Sequence, residues 1–204
     1  MKKHDGNENW LLYLRVVATF FVVLLHTAAP LLYRFNTLPE GAWAIGNIYD
    51  SAVRMSVPLF FMMTGYLLLE KHDELPVFFR KRFNKVVVPL FVWTVVYVFW
   101  KGYIETEVGV SVKSLLAPIM TPAYYHLWFM YAIIGIYLYL PLLRVLVQNA
   151  SRKLLYYYIG LWLFAVAILP FAEKLTGLSN RIDLLAISGF SGYLVLGLVL
   201  GKLE

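Results

Sequence analysis

Apolar residues fill long unbroken runs in this chain, and polar residues collect between them. Runs near 20 residues match a bilayer core at the rise of an α-helix. About six spans are predicted: Trp10–Ala29, Ile48–Leu69, Val86–Tyr103, Tyr124–Leu143, Leu154–Ala172 and Leu184–Leu200. Two outer loops, Pro30–Asn47 and Ile104–Pro122, and a charged inner link from Glu70 to Lys85 separate them. The pattern predicts an all-α polytopic membrane helix bundle, a single domain over residues 1–204. Aromatics mark the span ends: Trp10, Tyr13, Trp100, Tyr103, Tyr124, Tyr125 and the run Tyr156 to Tyr158. Pro58 and Pro89 free backbone carbonyls inside or near the start of spans, and Gly192 and Gly197 permit close helix contact.

Composition agrees with this pattern. Hydrophobic residues make up 61% and charged residues 15%, which excludes an ordinary soluble domain. The basic residues then set an orientation. With the N-terminus inside, Lys2, Lys3, Lys71, Arg80, Lys81, Arg82, Lys85, Arg144, Arg152, Lys153 and Lys202 fall on the cytoplasmic side. Arg34, Arg54, Lys101, Lys113, Lys174 and Arg181 fall outside, a bias that follows the positive-inside rule and makes both termini cytoplasmic. The pI near 9.4 is therefore a matter of topology, with no nucleic-acid partner implied. The first run is too long for a cleavable signal peptide and lacks a small-residue cleavage site. Cysteine is absent, which excludes disulfide and thiolate chemistry.

Ionisable residues inside membrane helices are costly and mark functional sites by default. Arg15 and His26 stand in the first run, eleven residues apart. Eleven helical residues make three turns plus about 20°, so both side chains share one face, roughly 16 Å apart along the axis. His26 reads either as a packed histidine or as a neutral imidazole serving as general base toward a hydroxyl. Arg15 reads either as a snorkelling cation or as a clamp on a donor's phosphate or pantetheine group. Arg80-Lys81-Arg82-Phe83-Asn84-Lys85 reads as a topology anchor or as a nucleotide-phosphate patch contributed by Arg80, Arg82 and Lys85. His126 and Trp128, among Tyr124, Tyr125 and Phe129, suit a sugar ring as well as an aromatic belt. Arg54 and Ser56 lie at the mouth of the second span, where the arginine suits an anionic acceptor. No histidine pair has metal-ligand spacing, and Asp50 and Glu173 read as solvated.

Taken together, these residues resemble the bacterial integral-membrane acyltransferase-3 family. Four features carry the resemblance: Arg-x10-His at Arg15 and His26; Ser56-Val57-Pro58-Leu59-Phe60-Phe61-Met62-Met63-Thr64-Gly65-Tyr66-Leu67; the basic cluster; and Tyr125-His126-Leu127-Trp128-Phe129 with the Tyr-rich helix through Pro141. The second and fourth are long and specific. The resemblance implies transfer of an acetyl or other short acyl group from coenzyme A to a hydroxyl of a cell-envelope sugar or lipid-linked glycan. It implies catalytic roles for His26 and Arg15, donor contacts at Arg82 and Lys85, and a bacterial inner-membrane location. Acetyl-CoA would be a substrate, with no permanently bound cofactor. Lys85 stands where the family more often has arginine, and Thr64-Gly65 replaces a common Ser-Gly. The family usually has about ten spans and the match runs over its first six, so the chain is expected to be the N-terminal portion of the domain. The competing class is a transporter or flippase for an anionic small molecule, with Arg15 and His26 as its binding and proton-coupling pair.

Overall fold

The computed structural model describes residues 9–104, 116–177 and 189–203. Its helices are α1 (Asn9–Leu32), α2 (Glu40–Val53), α3 (Ser56–Leu68), α4 (Leu75–Arg82), α5 (Val88–Ile104), α6 (Trp128–Asn149), α7 (Arg152–Leu163), α8 (Leu169–Thr176) and α9 (Ser191–Leu200). Several join end to end. Among the described residues, five helical stretches are long and apolar enough to cross a membrane, and the shorter apolar α9 follows them. The chain is thus an all-α polytopic membrane helix bundle. Residues 184–188 of the sixth predicted span and residues 105–115 of the second outer loop lie outside the described residues. Two compact units divide the chain: one runs to Glu70 and resumes at Val147, the other is Lys71–Leu146.

In the first unit, α1 packs on α2 and α3, and α9 packs on α3 and α7. The predicted loop Pro30–Asn47 is mostly helical, because α1 runs on through Pro30 and α2 starts at Glu40. Its turn is held by the Trp43 indole, which donates to the Leu32 carbonyl at 3.4 Å and meets the Phe35 ring at 4.6 Å. Gly46 lets α2 approach, since a Cβ there would come within 2.9 Å of Leu31 Cβ.

The α3–α9 crossing is closer still. A Cβ at Gly65 would collide with the Leu194 backbone, and one at Gly197 with the Met62 backbone. Two glycines thus let the two helix backbones touch, as small residues do in membrane bundles. The other side of α9 is fastened to α7. Trp162, 1% exposed, lies over Gly192 and donates Nε1 to the Gly189 carbonyl at 2.9 Å. The Tyr158 and Ser191 hydroxyls pair at 2.9 Å.

In the second unit the predicted link is helical from Leu75, with Pro76 in the first turn, where its missing N–H costs nothing. α4 then passes into α5 through a π turn at Phe83–Val87. Pro89 explains the turn. It offers no N–H to the Lys85 carbonyl and crowds it, so the ladder widens and Val88 N–H reaches back five residues to Phe83. The same device recurs at Phe164–Ile168, one residue before the pair Leu169–Pro170, where Leu169 N–H reaches Phe164. The core of the unit gathers Leu90, Val98, Ala123 and Leu127, and the Tyr131 hydroxyl donates to the Pro118 carbonyl.

Ahead of α4, Lys81 donates to Asp73 at 3.1 Å, which with the lysine charge holds the Asp73 carboxyl below its ordinary value of 3.8. A depressed carboxylate stabilises the fold above its unfolded pKa, and the contribution disappears as pH falls through the lower folded value. The wild type is therefore expected to lose a small increment of stability below about pH 4 that Asp73→Asn lacks at every pH. Thermal melts of both proteins at neutral and acidic pH check this.

Candidate functional site

α1 carries the first pair. The helix is unbroken from Arg15 to His26, so the two side chains do share a face, roughly 16 Å apart along the axis. Leu11 and Ala18 form its buried seam, packed with Met63 of α3. On the helical wheel Arg15 lies about 40° and His26 about 60° from Leu11, which puts both at the edge of that seam. Arg15 is exposed and His26 half-buried. Pro30 stands four residues after His26 and, having no N–H, cannot be the helical donor to the His26 carbonyl.

The second group lies where α2 ends and α3 begins. Arg54 and Met55 form a turn that interrupts the span. Arg54 Nε donates to Asp50 Oδ2 at 2.6 Å, with the arginine side chain 69% exposed and the aspartate side chain 3% exposed. The expectation that Asp50 is solvated is therefore corrected. It shares the inner stripe of α2 with Gly46 and Val53, on the helix that packs against α1. Its spacing of four from Arg54 was the available signal. Ser56 is fully buried, and its Oγ has no hydrogen-bond partner among the described residues. Glu173, also read as solvated, is half-buried on α8.

The third group belongs to the second unit. Arg80 and Arg82 line a cavity of about 320 Å³ whose other walls are Phe79, Phe83, Val86, Val87, Ile134, Tyr137 and Leu138. Lys85 is exposed on the π turn and does not line that cavity. The Arg82 guanidinium carbon lies 5.4 Å from the Phe78 ring centre and 5.5 Å from that of Tyr137. Arg82 Nε is buried without a hydrogen-bond partner among the described residues. Arg144 was legible only as a topology marker. It is buried, 4.6 Å from the same Phe78 ring, so two guanidiniums converge on one buried aromatic. An arginine inside the apolar run of α6 was the signal for it. Nothing in the spacing pointed to Tyr137.

The fourth group surrounds His126. Its ring lies 5.0 Å from Tyr97, 5.2 Å from Tyr124 and 5.4 Å from Tyr125. Tyr97 and Tyr124 stack at 4.7 Å, and Lys101 Nζ stands 5.6 Å from the Tyr124 ring. These rings use part of their faces on one another. Tyr125 and Trp128 keep exposed faces at the start of α6, 61% and 39% accessible.

Arg15, His26, Arg54 and Ser56 thus belong to one unit; Arg80, Arg82, Lys85, His126 and Trp128 belong to the other. The arrangement supplies an imidazole beside a packed seam, three separate cationic positions and an aromatic platform.

The family comparison identifies the common thread. The acyltransferase-3 family model, described as an acyltransferase domain, matches residues 8–204. No curated protein and no solved structure matches the chain. The family match spans the helix with Arg15 and His26, the interrupted α2–α3 span, the basic turn and the aromatic start of α6, and the chain belongs to the acyltransferase-3 family, with a membrane-embedded acyl-transfer activity.

Proposed function

We propose that the protein transfers an acetyl or other short acyl group from coenzyme A to a hydroxyl of a cell-envelope sugar. One observation carries this reading: a cation and a half-buried imidazole share one face of α1 in a chain of an acyltransferase family. His26 takes the hydroxyl proton as the sugar oxygen attacks the thioester carbonyl. Collapse of the tetrahedral adduct expels the coenzyme A thiolate, which receives that proton. Arg15 holds the donor's phosphate or pantetheine portion. Arg80, Arg82 and Lys85 hold the nucleotide phosphates; Arg82 supports this best, because its buried Nε has no partner among the described residues. Arg54 and Ser56 in one unit, and His126 and Trp128 in the other, are each assigned to the acceptor sugar, the exposed Trp128 face as a stacking surface.

The motifs resemble in particular the enterobacterial common antigen O-acetyltransferase, which favours an envelope glycan as acceptor. Both units serve as one catalytic domain in the bacterial inner membrane, with the termini and the donor on the cytoplasmic side. A transporter for an anionic molecule is the second reading, favoured by cations placed in membrane helices.

Labelled acetyl-CoA supplied to membrane vesicles separates the two. Release of free coenzyme A thiol with label moving into glycan is expected, whereas a transporter leaves the thioester intact. In the same assay Arg82→Gln is expected to raise the KM for acetyl-CoA by about 10–100-fold, since a hydrogen bond to a charged group contributes roughly 1.5–3 kcal/mol. An unchanged KM removes Arg82 from the donor site.

A further inference from the structure

We propose that Asp50 is a positioning residue for Arg54 and that together they make the acceptor site selective for sugars bearing an acidic group. The proposal rests on the acyltransferase reading and names its acceptor class.

A carboxylate inside a membrane span is costly, and Asp50 is 2% exposed there. Its ion pair is with Arg54, at 2.6 Å through Nε. The pair is lopsided. The carboxylate is enclosed, whereas the guanidinium is 69% exposed. An arginine that only snorkels to the headgroups needs no buried anion behind it. Here the buried anion takes the Nε donor and tethers a long side chain that stays largely exposed, so the Nη groups remain for a ligand. Those donors form the planar fork that matches a carboxylate or a phosphate.

The surrounding backbone supports a ligand site. Arg54 and Met55 interrupt the span, and irregular backbone at membrane depth is tolerated where it lines a cavity or packs in protein. Pro58, four residues on, cannot donate to the Arg54 carbonyl. Two residues after Arg54, the fully buried Ser56 Oγ has no partner among the described residues. A tethered guanidinium and a carbonyl deprived of its helical donor therefore lie at one break in an otherwise apolar helix, with the enclosed Ser56 hydroxyl two residues on. The Asp50–Arg54 pair is neutral as a unit, so selection arises from the direction of the Nη donors at short range.

The test uses the full chain in proteoliposomes with labelled acetyl-CoA and three acceptors: methyl glucuronide, glucose 1-phosphate and methyl glucoside. The wild type is expected to use at least one acidic acceptor with kcat/KM about tenfold or more above the neutral one, since tenfold needs only one modest charged contact. Which acidic acceptor is preferred tells a carboxylate ligand from a phosphate ligand. Asp50→Asn is expected to erase the preference through the acceptor KM, with the acetyl-CoA KM unchanged, and Asp50→Glu to restore it. Should Asp50→Asn fail to fold, the exchange Asp50→Arg with Arg54→Asp keeps the ion pair and moves the cation, so the preference must fall there too. A wild type indifferent to acceptor charge, or a preference that survives the exchange, overturns the proposal while His26-dependent turnover continues. Absence of any His26-dependent turnover overturns the acyltransferase reading, and this proposal with it.

Discussion

His26→Ala is expected to lower kcat for acyl transfer on the order of 10²–10⁴-fold, the usual contribution of a positioned general base. The KM for acetyl-CoA should scarcely move, because the imidazole is assigned to the proton and the donor is assigned to the cations. A sugar hydroxyl at neutral pH is a poor nucleophile, so loss of the base falls on the chemical step itself. The proposed base is half-buried, at the edge of the seam that Leu11 and Ala18 form with Met63. Arg15→Lys is expected to behave differently. It keeps the charge and loses the fork, so it should raise the acetyl-CoA KM with a smaller change in kcat. Single-turnover transfer of labelled acetyl separates the two effects. Wild-type kcat in His26→Ala, in folded protein, rejects His26 as the base. Labelled acetyl retained on His26 with donor alone would replace direct transfer by a route through an acyl-histidine.

Gly65→Leu and Gly197→Leu are expected to have the largest effects on the fold. Overpacking a core commonly costs about 1–3 kcal/mol when neighbouring side chains can yield. At these positions the neighbour is backbone: Leu194 opposite Gly65 and Met62 opposite Gly197. Backbone cannot rotate away, so the helices must separate and give up the contact that defines their crossing. A cost at or above the upper end of that range is expected for each. The double substitution should cost less than the sum, since the first already forces α3 and α9 apart. Gly135 and Gly160 are the controls, because a Cβ at either meets nothing within 4 Å. Alanine at those two positions should be neutral or slightly stabilising, glycine being the poorer helix former. Thermal melts of detergent-purified protein decide the matter. Equal melting temperatures for Gly197→Leu and Gly135→Ala would show that the crossing contributes little.

The spans were legible because their period and length answer to the bilayer, a constraint that acts on each segment separately. The face shared by Arg15 and His26 was legible for the same reason, since it follows from helix geometry within one segment. The helical extent of the predicted loop Pro30–Asn47 was not. Its turn-forming Pro39 and Gly41 resemble a loop, whereas the packing of Gly46 against Leu31 and the bond from Trp43 to Leu32 hold it as a helical hairpin. The basic cluster was visible as charge, yet its division into cavity-lining Arg80 and Arg82 and an exposed Lys85 depends on the π turn that Pro89 imposes.

Local pattern by itself therefore determined the fold class, the approximate spans and the Arg15–His26 face, because hydrophobic length and helical period need no partner. Tertiary structure decided which polar groups are enclosed. Asp50 looked solvated until α2 was seen with its inner stripe against α1, and Arg144 looked like a topology charge until Phe78 was seen beneath it. Burial is a property of what packs against a residue. For these groups the enclosing surface comes from another helix or from a distant part of the chain, so local spacing could single out the residue but not its burial.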